Sequence, residues 1–164
     1  MNGAGRSIGK LREAAGRGFN GVLKTAAIPG MLSDVTMKTF VIRDRVDHVL
    51  VPLSTLLERL PFLEAEVWVF RNIELNHGSP FGLTVDEFER RTCETPGGLR
   101  VTTAQFHAFV QTDFQIINGF IEGTNQDGDW LFQVECFDSS EWCISARSSE
   151  LAAALEGALG RRST

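Results

Sequence analysis

The strongest constraint on the fold is a pair of alternating segments near the C-terminus. Trp130, Phe132, Val134 and Cys136 occupy every second position of one, and Trp142, Ile144 and Ala146 do so in the next. Successive side chains on a strand point to opposite faces, so each segment predicts a strand buried on one side only. The turn between them sets the register. A two-residue turn at Ser139-Ser140 would bring Cys136 opposite Cys143, but it would send the two apolar sets to opposite faces of the sheet. A slip of one residue flips every side chain, so burial decides between the alternatives. Opposing Asp138 to Trp142 across a three-residue loop places both apolar sets on one face and Cys143 on the other face from Cys136. No 136–143 disulfide is expected, and both thiols read as packing residues.

The preceding segment, Phe114–Glu122 (FQIINGFIE), predicts another strand of the same meander, with Gly119 marking a bulge and Thr124–Gly128 the turn that follows. After the last strand, Ser148 or Ser149 caps a helix whose core stripe is Leu151, Leu155 and Leu159 and which ends at Gly160. Upstream, Thr39–Arg43 (TFVIR) reads as a strand. A helix starts near Pro52, which suits a first helical position, and stops before Pro61. Val46–Val51 reads either as part of that helical face or as extended chain. Glu66–Leu75 (EVWVFRNIEL) is a strand broken by Asn76-His77-Gly78-Ser79-Pro80. Thr84 with Glu87, and Thr102 with Gln105, are capping boxes, each predicting reciprocal bonds between side chains and free backbone donors at a helix start. The first helix runs to about Arg91, and Leu99–Val101 lies between the two as a short strand. The expected fold is α+β: two layers, a largely antiparallel sheet with a C-terminal β-meander, and helices packed on one face.

Residues 1–36 differ from the rest. They carry five Lys and Arg against two Asp and Glu, leaving +3, whereas residues 37–164 carry 11 against 19, leaving −8. They also hold seven of the 16 glycines. Glycine weakens a helix by roughly 1 kcal/mol relative to Ala, so the spacing of Ile8, Leu11, Ala15, Phe19, Val22 and Leu23 supports only a frayed helix. The expected organisation is a flexible, basic, Gly-rich extension over 1–36 and a single α+β domain over 37–164. Met31 and Met37 stand just before the change in composition and are alternative starts. An Arg-rich targeting segment is the other reading of this stretch.

Most chemistries find no support. The chain has no Tyr, which removes any mechanism that needs a phenol, and its three cysteines form neither a C-x-x-C nor a Cys/His cluster. No window approaches the length of a membrane span, and the N-terminus lacks the apolar core of a secretory signal. A reduced, cytoplasmic protein is expected, and 13 Arg against 3 Lys points to GC-rich, bacterial coding. The net charge of −5 is the wrong sign for coating nucleic acid. Gly5–Gly9 matches G-x-S-x-G and Gly16–Gly21 matches G-x-G-x-x-G, but neither follows a strand, as a nucleophile elbow or a dinucleotide site requires. His48, His77 and His107 are far apart and show no zinc spacing. Asn125–Asp129 fails as a calcium loop, because Gly123 and Val134 would occupy ligand positions. No catalytic residue, metal ligand or cofactor is assigned.

The most distinctive stretch of the body is Phe137-Asp138-Ser139-Ser140-Glu141-Trp142. Asp and Ser bond their own backbone in tight turns, and an acidic loop tip beside a Trp suits a basic protein partner. With Asp127 and Asp129 of the preceding turn, the candidate protein-binding set is Asp127, Asp129, Asp138, Ser139, Glu141 and Trp142. The 12 Phe fall largely at core positions, leaving Trp68, Trp130 and Trp142 as the aromatics with a polar handle for a partner. In size, acidity and element order, residues 37–160 resemble the small α+β immunity proteins that neutralise bacterial toxins. That architectural resemblance implies a cytoplasmic protein-binding module that blocks a basic toxin domain stoichiometrically, without catalysis, nucleic acid or membrane. Two other classes are carried forward. One is a small-molecule-binding domain or enzyme, with a pocket between sheet and helices that includes His77, Glu74 or Arg71. The other is a structural or assembly subunit.

Overall fold

A computed structural model describes residues 21–25, 37–46, 48–112 and 114–160 of the 164-residue chain. The strands are β1 (Gly21–Thr25), β2 (Lys38–Ile42), β3 (Arg45–Val46), β4 (Val49–Leu50), β5 (Val67–Leu75), β6 (Leu99–Thr102), β7 (Ile116–Thr124), β8 (Trp130–Phe137) and β9 (Glu141–Ala146). The helices are α1 (Leu53–Arg59), α2 (Val85–Glu94), α3 (Thr103–Val110) and α4 (Ser149–Gly160). Seven strands form one sheet in the order β1-β2-β9-β8-β7-β5-β6, antiparallel throughout, while β3 and β4 make a separate ribbon. The fold is α+β. Gly21–Thr25 pairs with β2 as an edge strand, so five residues of the expected N-terminal extension join the sheet. The remainder of residues 1–36, including the two glycine-rich motifs and most of the amphipathic spacing, lies outside the described residues.

The alternation of the meander becomes its register. Phe132, Val134 and Cys136 of β8 stand beside Ala146, Ile144 and Trp142 of β9, and β2 continues the rows with Phe40 and Ile42. On the other side, Ile121 of β7 and Trp68 and Phe70 of β5 complete the apolar face. The loop between β8 and β9 has three residues and both apolar sets share a face, as expected. It spans Asp138–Ser140 rather than 139–141, so Cys136, not Asp138, opposes Trp142. Asp138 and Ser139 both adopt positive φ (48° and 47°), and the Ser140 N–H donates to the Phe137 carbonyl at 2.8 Å. That is the geometry of a type I′ turn, whose twist matches that of the strands it joins. None of the three cysteines is in a disulfide.

The bulge expected at Gly119 is present, but the extra residue belongs to β5. Arg71 opposes Phe120 and Glu74 opposes Asn118, so Asn72 and Ile73 together face Gly119. Asn72 takes a φ of 49°, and a Cβ on Gly119 would stand 2.7 Å from the Asn72 carbonyl and the Ile73 Cα. Gly123 has a different role: a Cβ there would meet the Phe132 ring at 2.4 Å.

The helices start as their caps dictate, with two corrections. Thr102 and Gln105 form the full reciprocal box. Thr84 accepts the Glu87 N–H, but the Glu87 carboxylate turns to Arg90 and Arg91 instead of the cap. These arginines, Arg91 foremost, hold the Glu87 carboxyl below its usual range. Pro52 occupies the cap position of α1 rather than the first helical position, and Val46 and Val49–Leu50 are strand residues, with His48 in a turn of positive φ. Ser148 caps α4 through its hydroxyl, which accepts the Leu151 N–H. The buried stripe of α4 is Ala152, Leu155 and Leu159, with Leu151 at its margin. Apolar residues of all four helices join one core with the apolar sheet face.

Gly119→Ala is expected to destabilise the fold by about 1–3 kcal/mol, because the new methyl meets fixed backbone at the bulge. Gly128→Ala, where φ is also positive but nothing lies within 4 Å, is expected to cost less. Urea unfolding midpoints of the two variants check the order.

Candidate functional site

The six residues expected at an interface do not form one patch. Asp127 and Asp129 lie in the β7–β8 turn, whereas Asp138, Ser139, Glu141 and Trp142 lie at the β8–β9 turn. Those turns sit at opposite ends of the eight-residue β8, which at about 3.4 Å per residue separates them by roughly 25 Å. Asp129 closes its own turn: its N–H donates to Asn125 Oδ1 at 2.8 Å and its carboxylate accepts from Asn125 Nδ2 at 3.2 Å. The Asp138 N–H donates to Asn118 Oδ1, and the Ser139 N–H to the Ile117 carbonyl, both at 2.8 Å. The β8–β9 turn is thereby folded onto β7, and Ser139 serves structure.

Trp142 is corrected outright. It is 3% exposed, and its indole Nε1–H donates to the Val51 carbonyl at 2.8 Å. Trp68, 1% exposed, is likewise a core residue, stacked on Phe106 with ring centroids 3.5 Å apart. Its Nε1 is a buried donor without a partner among the described residues. The exposed aromatics among the described large hydrophobics are instead Phe137, 57% exposed at the end of β8, and Phe81, 36% exposed. The pocket set also divides. Arg71 pairs with Glu122 at 2.9 Å and Glu74 accepts from Asn118 Nδ2 at 2.8 Å, both on the sheet face turned away from the helices. His77 lies at the other side, in the lining of a cleft that also includes Trp142.

A different surface emerges from the off-beat positions of the same strands. Phe120 and Glu122 of β7, Gln133, Glu135 and Phe137 of β8, and Glu141, Cys143 and Ser145 of β9 share the sheet face opposite the core. The Thr39 and Ser145 hydroxyls meet there at 2.8 Å. Val41 and Val69 are buried on this face yet stand outside the main core, in which the described helices pack. Glu141, the one predicted site residue on it, accepts from Arg43 Nε at 2.6 Å. Glu135 sits in the row between Phe120 and Cys143 and forms no ion pair among the described residues. Partial burial, and then the neighbouring Glu141 charge, raise its carboxyl above the usual range. The period-2 rule that located the core also located this face, but nothing in the sequence shows that the described helices pack on the other one.

Elsewhere the titratable groups are dispersed. Among the described residues no three His, Cys, Asp or Glu side chains converge as a metal-binding group, and no helix is long and apolar enough to cross a membrane. Burial pushes the Cys136 thiol up to about 12, while Cys93 is exposed on α2. No protein-family model, curated protein or solved structure matches this chain.

Two expectations follow from this geometry. Cys93 is expected to react with an aromatic disulfide reagent in the native protein and Cys136 only after unfolding, as counted by the released chromophore. Glu135 holds its proton more tightly in the fold than in the open chain, so its ionisation opposes folding at neutral pH and ceases to do so as the carboxyl protonates. Glu135→Gln is therefore expected to stabilise the protein at pH 7 by roughly 0.2–0.5 kcal/mol, allowing for solvent screening. That gain should vanish as pH falls toward the ordinary glutamate range near ~4.3, measured by urea unfolding across pH.

Proposed function

We propose that this chain is an acidic protein-binding module, most concretely a cytoplasmic, immunity-type inhibitor that blocks a basic toxin domain by stoichiometric binding. Its interface is the sheet face opposite the core. The observation that carries this is Glu135: a partly buried carboxylate beside Glu141, without a cation partner among the described residues, on a face that also presents the exposed Phe137. Such a charge opposes folding in isolation and becomes favourable when a partner lysine or arginine meets it. Glu122 and Glu141 extend the acidic row, and Phe120 and Phe137 supply apolar area that can exclude water from the contact. Complementary charge of this kind speeds encounter and makes binding weaken with salt.

Affinity capture from the native host, with paired baits, tests the proposal. Wild type and Asp127→Lys/Asp129→Lys should retain the same basic partner at low salt, and Glu135→Lys/Glu141→Lys should lose it. With the purified partner, the face variant should bind at least about tenfold more weakly. A partner held equally by the face variant, or lost with the turn variant, would overturn the assignment. Growth arrest by the partner alone, relieved by co-expression of this chain, supports the toxin-blocking form; a harmless partner refutes that form.

A further inference from the structure

We infer that the cleft between the β4–α1 connection and the starts of β7 and β9 binds a small, ring-sized molecule carrying a carbonyl-type acceptor oxygen. The cleft encloses about 200 Å³. A cavity of about 150 Å³ with aliphatic and aromatic walls is enough to hold a benzene ring. The walls are apolar: Val49, Leu53, Phe114, Ile116 and Trp142. The Val51 carbonyl accepts the Trp142 Nε1–H. Two side chains, His77 and Gln115, bring polarity to this apolar lining.

Gln115 sets the chemistry of the ligand's head. Asn76 grips Gln115 in three places. Its N–H donates to the Gln115 carbonyl (3.1 Å), its Nδ2 donates to Gln115 Oε1 (2.8 Å), and its Oδ1 accepts the Gln115 N–H (3.2 Å). With Oε1 engaged, the carboxamide N–H pair of Gln115 makes no hydrogen bond among the described residues, and it can only donate. His77 also lines the cleft. A molecule with an apolar ring in the cleft and a carboxylate or amide oxygen toward Gln115 satisfies both requirements. This site lies on the helix side of the sheet and is independent of the acidic face.

Benzoate, benzamide and toluene serve as probes, followed by amide and indole resonances of the ¹⁵N-labelled full chain. Benzoate and benzamide should shift the signals of Leu53, Gln115, Ile116 and the Trp142 indole saturably, with a dissociation constant of about 1 mM or tighter. A stronger response to benzoate than to benzamide assigns a carboxylate head, and the reverse assigns a neutral amide. Gln115→Leu should weaken both by roughly tenfold while leaving toluene unchanged. Val49 is half-exposed at the rim, so Val49→Trp narrows the cleft without disturbing the core and should abolish binding of all three. Absence of saturable shifts with every probe to about 10 mM, or shifts that persist in a folded Val49→Trp variant, would overturn the inference. Toluene binding as tightly as benzoate and benzamide would overturn the acceptor requirement.

Discussion

The structure depends on the rings of Trp68 and Phe70, which project from β5 into the core. Trp68 stacks on Phe106 of α3 and meets Phe132 of β8 edge-on at 5.5 Å. Phe70 contacts Phe88 of α2 and Phe109 of α3, at 5.7 and 4.8 Å, both edge-on. Two residues of one strand thus join two helices to the sheet. Truncating a ring of this kind typically costs about 3–5 kcal/mol. Gly123 is part of the same arrangement, because the Phe132 ring occupies the space its side chain would need. Trp68 Nε1 shows which demand prevails: aromatic packing is kept although the donor has no partner among the described residues.

Because the rings and the four helices collect on one side, the two faces of the sheet diverge in chemistry. One is a continuous core running from Phe40 on β2 to Val101 on β6. The other carries Glu122, Glu135 and Glu141, with Arg71 and Arg43 pairing the first and the last. The buried Asp44–Arg59 pair ties the chain after β2 to α1 and so helps hold that helix on the core side. In an antiparallel sheet the two faces can differ in chemistry in this way, because alternate residues of each strand point to opposite sides.

Much of the fold was legible beforehand. Strand alternation, capping threonines and the Gly119 bulge are local signals, and each appears where its chemistry requires. The departures are instructive. The β8–β9 loop is displaced by one residue on each strand, because parity of burial does not distinguish registers that differ by a full pleat. The Thr84 box is half made because Arg90 and Arg91 compete for Glu87. The candidate site was legible only in part. Glu141 lies on the face opposite the core, but Trp142 was read as an anchor when its alternation with Ile144 and Ala146 already placed it in the core.

What the sequence determined by itself is periodic and local: which residues share a face, where helices begin, and that Cys136 and Cys143 point apart. These follow from the geometry of a strand or a helical turn and need no knowledge of neighbours. Only the tertiary structure decided which turn lies at which end of the sheet, which face the helices cover, and which carboxylates meet an arginine. Strand order and helix placement bring together residues as distant as Val51 and Trp142, and no local period encodes such a meeting. The acidic face and the His77 cleft therefore became visible only when the packed core had set one side of the sheet apart from the other.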